Sequence, residues 1–586
     1  MSVLTRKSTI WLATLPVFAL ALLFGQKAEQ ASAQRYVDDV KVLAAPEMEG
    51  RGAGTKGSER ASKYIADRFK EVKLQPAGEN KSYWQTFQVT TGAKPGTENH
   101  LGKLKLDTDY TPLSFSSNGQ VTAPVVFAGH GITAPEFHHD DYSHLDVKDK
   151  IVLVLRYEPK EFQKDKDAKE RIYTHHSSLV SKAINARNHG AKAVILANGT
   201  VDPSHQDTLI RFGTISGPEN VGILMAQVKN SVADEWIKEL KAGKPLELAM
   251  RVDIKREQAD VRNVVGYLPG QSNEYIVIGA HYDHLGFGNE SSLAPSQIGK
   301  VHAGADDNAS GTAGLLELAR LFAGRKGDLK RGVLFIAFAG EEIGLLGSSQ
   351  WVNHPTLPIE NAAAMLNMDM IGRVNGSKLF IGGTGTGSTF DEMLKKTVAN
   401  YDFKVDYSED GFSASDHTSF TAKSVPVLFF FSGLHGDYHK PSDTWEKING
   451  PASAKVVNLV YDVASNLVAS DARPKFQKVE PRGGPHSVAP PSGGGGGGYG
   501  PYFGSIPDFA PVEKGVKFSD VRAGSPAGKA GLKAGDILIG FGDKPINNLY
   551  DFTYALRNSK VGDVVTVKFI RDGKEMTAPV TLEARR

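Results

Sequence analysis

The sequence predicts an α/β protein: a mostly parallel mixed sheet flanked by helices, with a small inserted α/β module and a compact β-rich domain at its carboxy end. Three observations carry this. From about 262 to 470, strand-like runs at 275–280, 333–339, 363–368 and 425–431 alternate with helical patterns at 309–323, 345–353, 389–400 and 452–469, and such alternation implies a parallel sheet covered on both faces. Between 106 and 255 the pattern changes to short β-type runs around one clear helix. The stretch 471–500, with "RGGPHSVAPPSGGGGGGYG", holds too much proline and glycine to form a core and reads as a linker.

Taken in order, residues 1–33 read as an export signal: Arg6 and Lys7, an apolar stretch from Ile10 to Phe24, then Ala31-Ser32-Ala33 as a small-residue cleavage site. The apolar stretch is too short to span a bilayer and contains Pro16. A secreted or periplasmic protein without a stable membrane span is expected. Residues 34–105 begin the main domain, with Ala61, Ile65 and Phe69 on one helical face and an alternating run at 84–89. Residues 106–255 form the insertion, built on runs at 123–129, 150–155 and 193–197 with a helix near 177–189. The core returns at 256–470. After the linker, 501–586 carry short strands and two short helical segments.

Composition narrows the function classes. The chain has 586 residues, 40% of them apolar, enough for several cores. Its 68 Lys and Arg against 66 Asp and Glu offer no broad basic surface for nucleic acid. With no cysteine, neither disulfides nor thiolate metal sites can form.

"IGAHYDHLGFG", residues 278–288, raises the functional question: why does an apolar strand end in two imidazoles and a carboxylate? In such sheets, ligands bind at the carboxyl ends of strands. Acids and imidazoles follow every core strand: His281 and Asp283, Asp306 and Asp307 in Gly304-Ala-Asp-Asp-Asn-Ala-Ser-Gly311, Glu341-Glu342, Asp369, and His439. Nitrogen and carboxylate donors without thiolate suit zinc or a similar divalent ion, and the acids suffice for two. A pair of metals needs a bridging carboxylate, and a neighbouring carboxylate must take a proton from water and return it to the leaving amine.

These motifs, in the order His-x-Asp, Gly-Ala-Asp-Asp-Asn-Ala-Ser-Gly, Glu-Glu-x-Gly-Leu-x-Gly, Asn-Met-Asp-Met and His-x-x-x-Asp-Thr, resemble the M28 family of di-zinc peptidases, of zinc-exopeptidase fold. The resemblance implies that His281 and Asp369 bind one Zn²⁺, that His439 and Glu342 bind a second, and that Asp307 bridges them. Mn²⁺ or Co²⁺ could substitute. It further implies Glu341 as general base and acid and Asp283 as the group orienting His281. Asp306 is then expected as a loop or capping residue, and His284 as a pocket neighbour. Ser415-Asp416-His417 would shape the substrate pocket. Phe412 stands where some aminopeptidases of the family carry a tyrosine that supports the tetrahedral intermediate, so that assistance must come from elsewhere.

The insertion resembles a protease-associated (PA) domain, expected to restrict access to the cleft, with its histidines at 138, 139, 175 and 176 read as solvated loop residues. The terminal domain resembles a PDZ module, through Tyr502-Phe-Gly-Ser-Ile-Pro-Asp-Phe509 and Ser525-Pro-Ala-Gly-Lys-Ala-Gly-Leu. Such a domain could take a peptide carboxy terminus as an added strand, although Pro507 lacks an N–H to offer. The linker implies a PDZ domain that moves independently of the metal site. The expected function is an exported metal-dependent aminopeptidase acting on peptides. A carboxypeptidase or glutaminyl cyclase on the same metal cage, or a non-enzymatic binding protein on the same fold, are the alternatives.

Overall fold

The computed structural model describes residues 30–584 apart from 163–173, 200–206, 211, 213–219, 289–290, 326, 480–499, 509–511 and 523. Most of the expected export signal and linker lies outside the described residues.

The main sheet has nine strands. Its centre is parallel, in the order Gly332–Phe338, Tyr275–His281, Ala362–Met368 and Val427–Phe431. All seven residues of Tyr275–His281 are buried because both faces are covered. Ile276, Ile278 and Ala280 join the larger core, packed with residues of the helices Ala33–Leu43, Lys56–Glu71, Gly311–Ala323 and Gly450–Ala469. Tyr275 and Val277 join a second core with Trp351 and Phe420. The expected strands and helices therefore stand within a few residues of where periodicity placed them. Two short strands, Lys378–Gly382 and Lys404–Tyr407, extend one edge and were not foreseen.

On the other side, Ile254–Leu268 pairs antiparallel with both Gly332–Phe338 and Trp84–Pro95. The insertion folds between these two long strands. Its seven-stranded sheet runs His100–Leu101, Glu247–Val252, Gly119–Phe127, Ile151–Leu155, Ala193–Ala197, Leu224–Val228, Tyr110–Pro112. The terminal domain forms a six-stranded sheet with the helix Leu549–Arg557, and Ser505–Pro507 is its edge strand. The architecture is mixed α/β with a β-rich carboxy-terminal module.

The terminal domain does not stand apart, contrary to the expectation of independent movement. Its helix Leu549–Arg557 lies on the insertion helix Leu179–Asn188: Tyr554 packs into the insertion's core, and its hydroxyl donates to Asn185 Oδ1 at 3.0 Å. Asp551 and Arg187 form a largely buried ion pair at 2.7 Å. Arg522 pairs with Asp410 of the core at 3.0 Å, and Asp520 with Lys478 of the linker segment at 2.9 Å. A glycine-rich linker describes only the tether, while docking is decided by the folded surfaces it joins.

Candidate metal centre

The carboxyl ends of the central strands and the turns beside them bring the acids and imidazoles together. His281 ends its strand, and its Nε2 faces Asp369 Oδ1 at 3.3 Å and Asp307 Oδ1 at 3.5 Å. Asp307's other oxygen, Oδ2, lies 3.2 Å from His439 Nε2, which is 3.1 Å from Glu342 Oε2. One carboxylate thus faces two imidazoles from opposite ends. The outer ring nitrogens are held by carbonyls: His281 Nδ1 by Asp283 O at 3.2 Å and His439 Nδ1 by Ser291 O at 2.9 Å. This is the arrangement that directs the remaining nitrogen to a metal.

His281 Nε2, Asp307 Oδ2 and Asp369 Oδ1 are buried and make no hydrogen bond. Buried polar atoms are ordinarily paired, so several orphans aimed at one another fit divalent cations between them. Among the described residues, two groups of ligand atoms are close enough to hold an ion: His281, Glu341 and Asp369, and His284, Asp307 and Glu342.

The second group includes His284, expected only as a pocket neighbour. Its Nδ1 is 2.6 Å from Glu342 Oε1, so it grips the glutamate, whereas His439 shows the carbonyl-held geometry of a ligand. Asp283 meets the His281 ring with its backbone carbonyl at 3.2 Å and its carboxylate at 3.9 Å; the carboxylate also accepts the N–H groups of Glu341 at 3.1 Å and Glu342 at 3.4 Å and holds the glutamate turn. Asp306 is no cap. It is fully buried, accepting the Gly372 N–H at 2.6 Å and facing His435 Nε2 at 3.1 Å.

The two glutamates have opposite electrostatics. Burial pushes the Glu341 carboxyl well above its ordinary range, and Glu342, Asp369 and Asp416 push it further than His281 can offset. For Glu342, burial also acts upward, but His439 and His284 outweigh it and hold the carboxyl well below that range. Burial raises Asp416 to about 7, and Ser415 Oγ donates to Asp369 Oδ2 at 2.8 Å, so the Ser-Asp-His segment touches the site directly.

Three contributors escaped sequence reasoning. Asp443 accepts the N–H groups of Asp306 and Asp307 on one oxygen, at 2.9 and 3.1 Å. The fully buried Arg51 donates to the carbonyls of Leu43, Tyr282, Ala303 and Gly304, tying together the turns that carry His281 and Asp307. Tyr438 stacks on His439 with ring centroids 3.9 Å apart. Burial, then Asp307, Glu342, Glu341 and Asp369, push its phenol far up, so the hydroxyl stays protonated. Its one sequence signal was adjacency to His439.

In the insertion, His176 Nε2 lies 2.7 Å from Glu136 and His139 Nε2 3.1 Å from Asp141. His176 is buried and paired with Glu136 rather than solvated, whereas His138 is exposed. They make no three-ligand group among the described residues.

Residues 263–464 match the model of peptidase family M28, 121–236 that of the PA domain and 507–582 that of the PDZ domain. The core is similar to peptidase family M28. A probable leucine aminopeptidase of Arthroderma otae is 30% identical to this chain over 228 residues, 37% of this chain and 60% of that protein. Aminopeptidase YwaD of Bacillus subtilis is 24% identical over 443 residues, 73% of this chain and 83% of its own length. The chain spans 60% and 58% of the lengths of the first two leucine aminopeptidases it matches. Among solved structures, BSAP, a zinc aminopeptidase from Bacillus subtilis, is 22% identical, covering 78% of this chain and 100% of that one with a TM-score of 0.49. In this core, all five strand-end segments singled out from the sequence meet at one place.

Proposed function

We propose that the chain is an exported aminopeptidase that uses two zinc ions to remove residues from the amino end of peptides. The observation that carries this reading is Asp307, whose two oxygens face His281 and His439 at 3.5 and 3.2 Å amid unpaired ligand atoms. His281 and Asp369 would hold one ion, His439 and Glu342 the other, and Asp307 both. When bound, the ions would supply Lewis acidity, polarising the scissile carbonyl and acidifying water.

The chain's own groups do the rest. Glu341 lies 3.9 Å from His281, farther than Asp369 and Asp307 at 3.3 and 3.5 Å, and its raised affinity for a proton suits a group that takes one from water and returns it to the departing amine. Glu342, kept ionised by two imidazoles, suits a ligand. Tyr438, stacked on His439 and with its phenol kept protonated, would donate its hydroxyl to the oxygen that gains charge on the substrate. The PDZ domain could additionally take a peptide carboxy terminus at the edge strand Ser505–Pro507. Export rests on residues 1–33; no helix among the described residues is long and apolar enough to cross a membrane.

The test is metal content together with hydrolysis of aminoacyl anilides. Chelation should remove both the ions and the activity, and Zn²⁺ should restore both. Full turnover by metal-free protein, or hydrolysis only of substrates with a blocked amino end, would overturn the proposal.

A further inference from the structure

The PDZ domain reaches the rim of the metal centre through Arg522. The loop before the helix His417–Ala422 runs from solvent into the site: Ser413 and Ala414 are exposed, while Ser415, the next residue, donates to Asp369. A displacement of this rim would therefore be felt at a proposed metal ligand.

The rim is built on a tight turn. Asp410 Oδ1 accepts the Phe412 N–H at 3.0 Å, and the Ser413 N–H donates to Thr418 Oγ1 at 3.0 Å. Asp410's second oxygen is left for another partner. Arg522, from the PDZ domain, takes it at 3.0 Å and sets its guanidinium over the Phe412 ring, 5.5 Å from the centroid. The arginine is itself fixed within its own domain. Its N–H donates to Gly504 O at 2.8 Å, and its carbonyl accepts the Ser525 N–H at 3.2 Å. The domain carrying it is anchored at a distance by the Asp551–Arg187 pair and by Tyr554. A fixed backbone and a planar fork that both pairs and stacks make a directional hold, which lysine would reproduce only in charge.

We propose that Arg522 is a positioning residue for substrate binding, and that through it the PDZ domain serves as a fixed wall of the cleft entrance. By holding the Asp410–Phe412 turn, Arg522 sets the rim residues from Phe412 to Ser415. The inference rests on the aminopeptidase reading for its kinetic arm alone.

The experiment compares full-length wild type, Arg522→Ala, Arg522→Lys, Asp410→Asn and the Arg522→Ala/Asp410→Asn double variant. The first readout is amide hydrogen exchange of residues 411–416 in metal-free protein, and the second is steady-state kinetics on an aminoacyl anilide. Asp410→Asn keeps an oxygen for the Phe412 N–H but loses the charge that holds the arginine. Arg522→Ala is expected to speed exchange in the rim and raise KM about fivefold with kcat nearly unchanged, the size an exposed ion pair and a cation–π contact carry together. Arg522→Lys should recover part of the loss, and the double variant should be little worse than Arg522→Ala, since both changes break one contact. Unchanged exchange and KM in Arg522→Ala would overturn the proposal. So would a general loss in melting temperature and kcat with no KM change, which marks a merely structural residue. If wild type hydrolyses no anilide, the aminopeptidase reading fails, and the exchange experiment still decides whether Arg522 holds the rim.

Discussion

Glu341→Gln is expected to lower turnover by about 10²–10⁴ while leaving bound metal at the wild-type level, the range typical of a general acid–base group. The amide cannot accept and return a proton, yet it fills the same space. The backbone of the turn would not move, because the Glu341 N–H is held by Asp283 Oδ1 at 3.1 Å whatever the side chain. The neighbouring residue provides the contrast. Glu342 meets two imidazoles, at 2.6 and 3.1 Å, so Glu342→Gln should weaken one ion as well as activity. Metal analysis of the two variants separates the roles. Loss of an ion from Glu341→Gln with both retained in Glu342→Gln would exchange the assignments, and Glu341 would join His281 and Asp369 as a ligand, a grouping its position also permits.

How much of this was legible in the sequence depended on where each residue's partners lie. His281 stood out because a seven-residue buried strand ends on it, and the glutamate pair because it follows another such strand. Alternation of apolar runs reports burial on two faces, so the central strands and their helices could be placed. The edge strands Lys378–Gly382 and Lys404–Tyr407 could not: they have five and four residues, and each has exposed positions mixed with covered ones. Arg51 was invisible for a different reason. Its partners are backbone carbonyls from three distant segments, and a carbonyl leaves no mark in a side-chain pattern. The sequence places Asp283 beside His281 but cannot say that its carbonyl, at 3.2 Å, comes closer to the ring than its carboxylate, at 3.9 Å. The PDZ domain was misread through its tether. Asp551, Tyr554 and Arg522 show no special pattern alone and acquire meaning only opposite Arg187, Asn185 and Asp410.

Tyr438→Phe is expected to lower kcat by about 10²–10³ with bound metal and KM near wild type, the loss typical of removing one donor to a developing oxyanion. Phe412 has no hydroxyl, so such a donor must come from another side chain, and Tyr438, stacked on His439, is the candidate. Its ring is stacked on His439 at 3.9 Å, which fixes its direction, and phenylalanine would keep that stacking. The substitution therefore removes a hydroxyl and little else. Burial first, then the nearby Asp307, Glu342, Glu341 and Asp369, raise its pKa, which keeps the hydroxyl a donor. A group serving substrate and transition state equally would show its loss in KM; one that meets charge only as it develops shows it in kcat. Kinetics on aminoacyl anilides, with metal content and melting temperature measured in parallel, test this. Wild-type kcat in Tyr438→Phe would remove the tyrosine from the reaction. A fall in kcat accompanied by lost metal would instead mean that the hydroxyl supports His439, leaving the ions as the remaining source of help for the oxyanion.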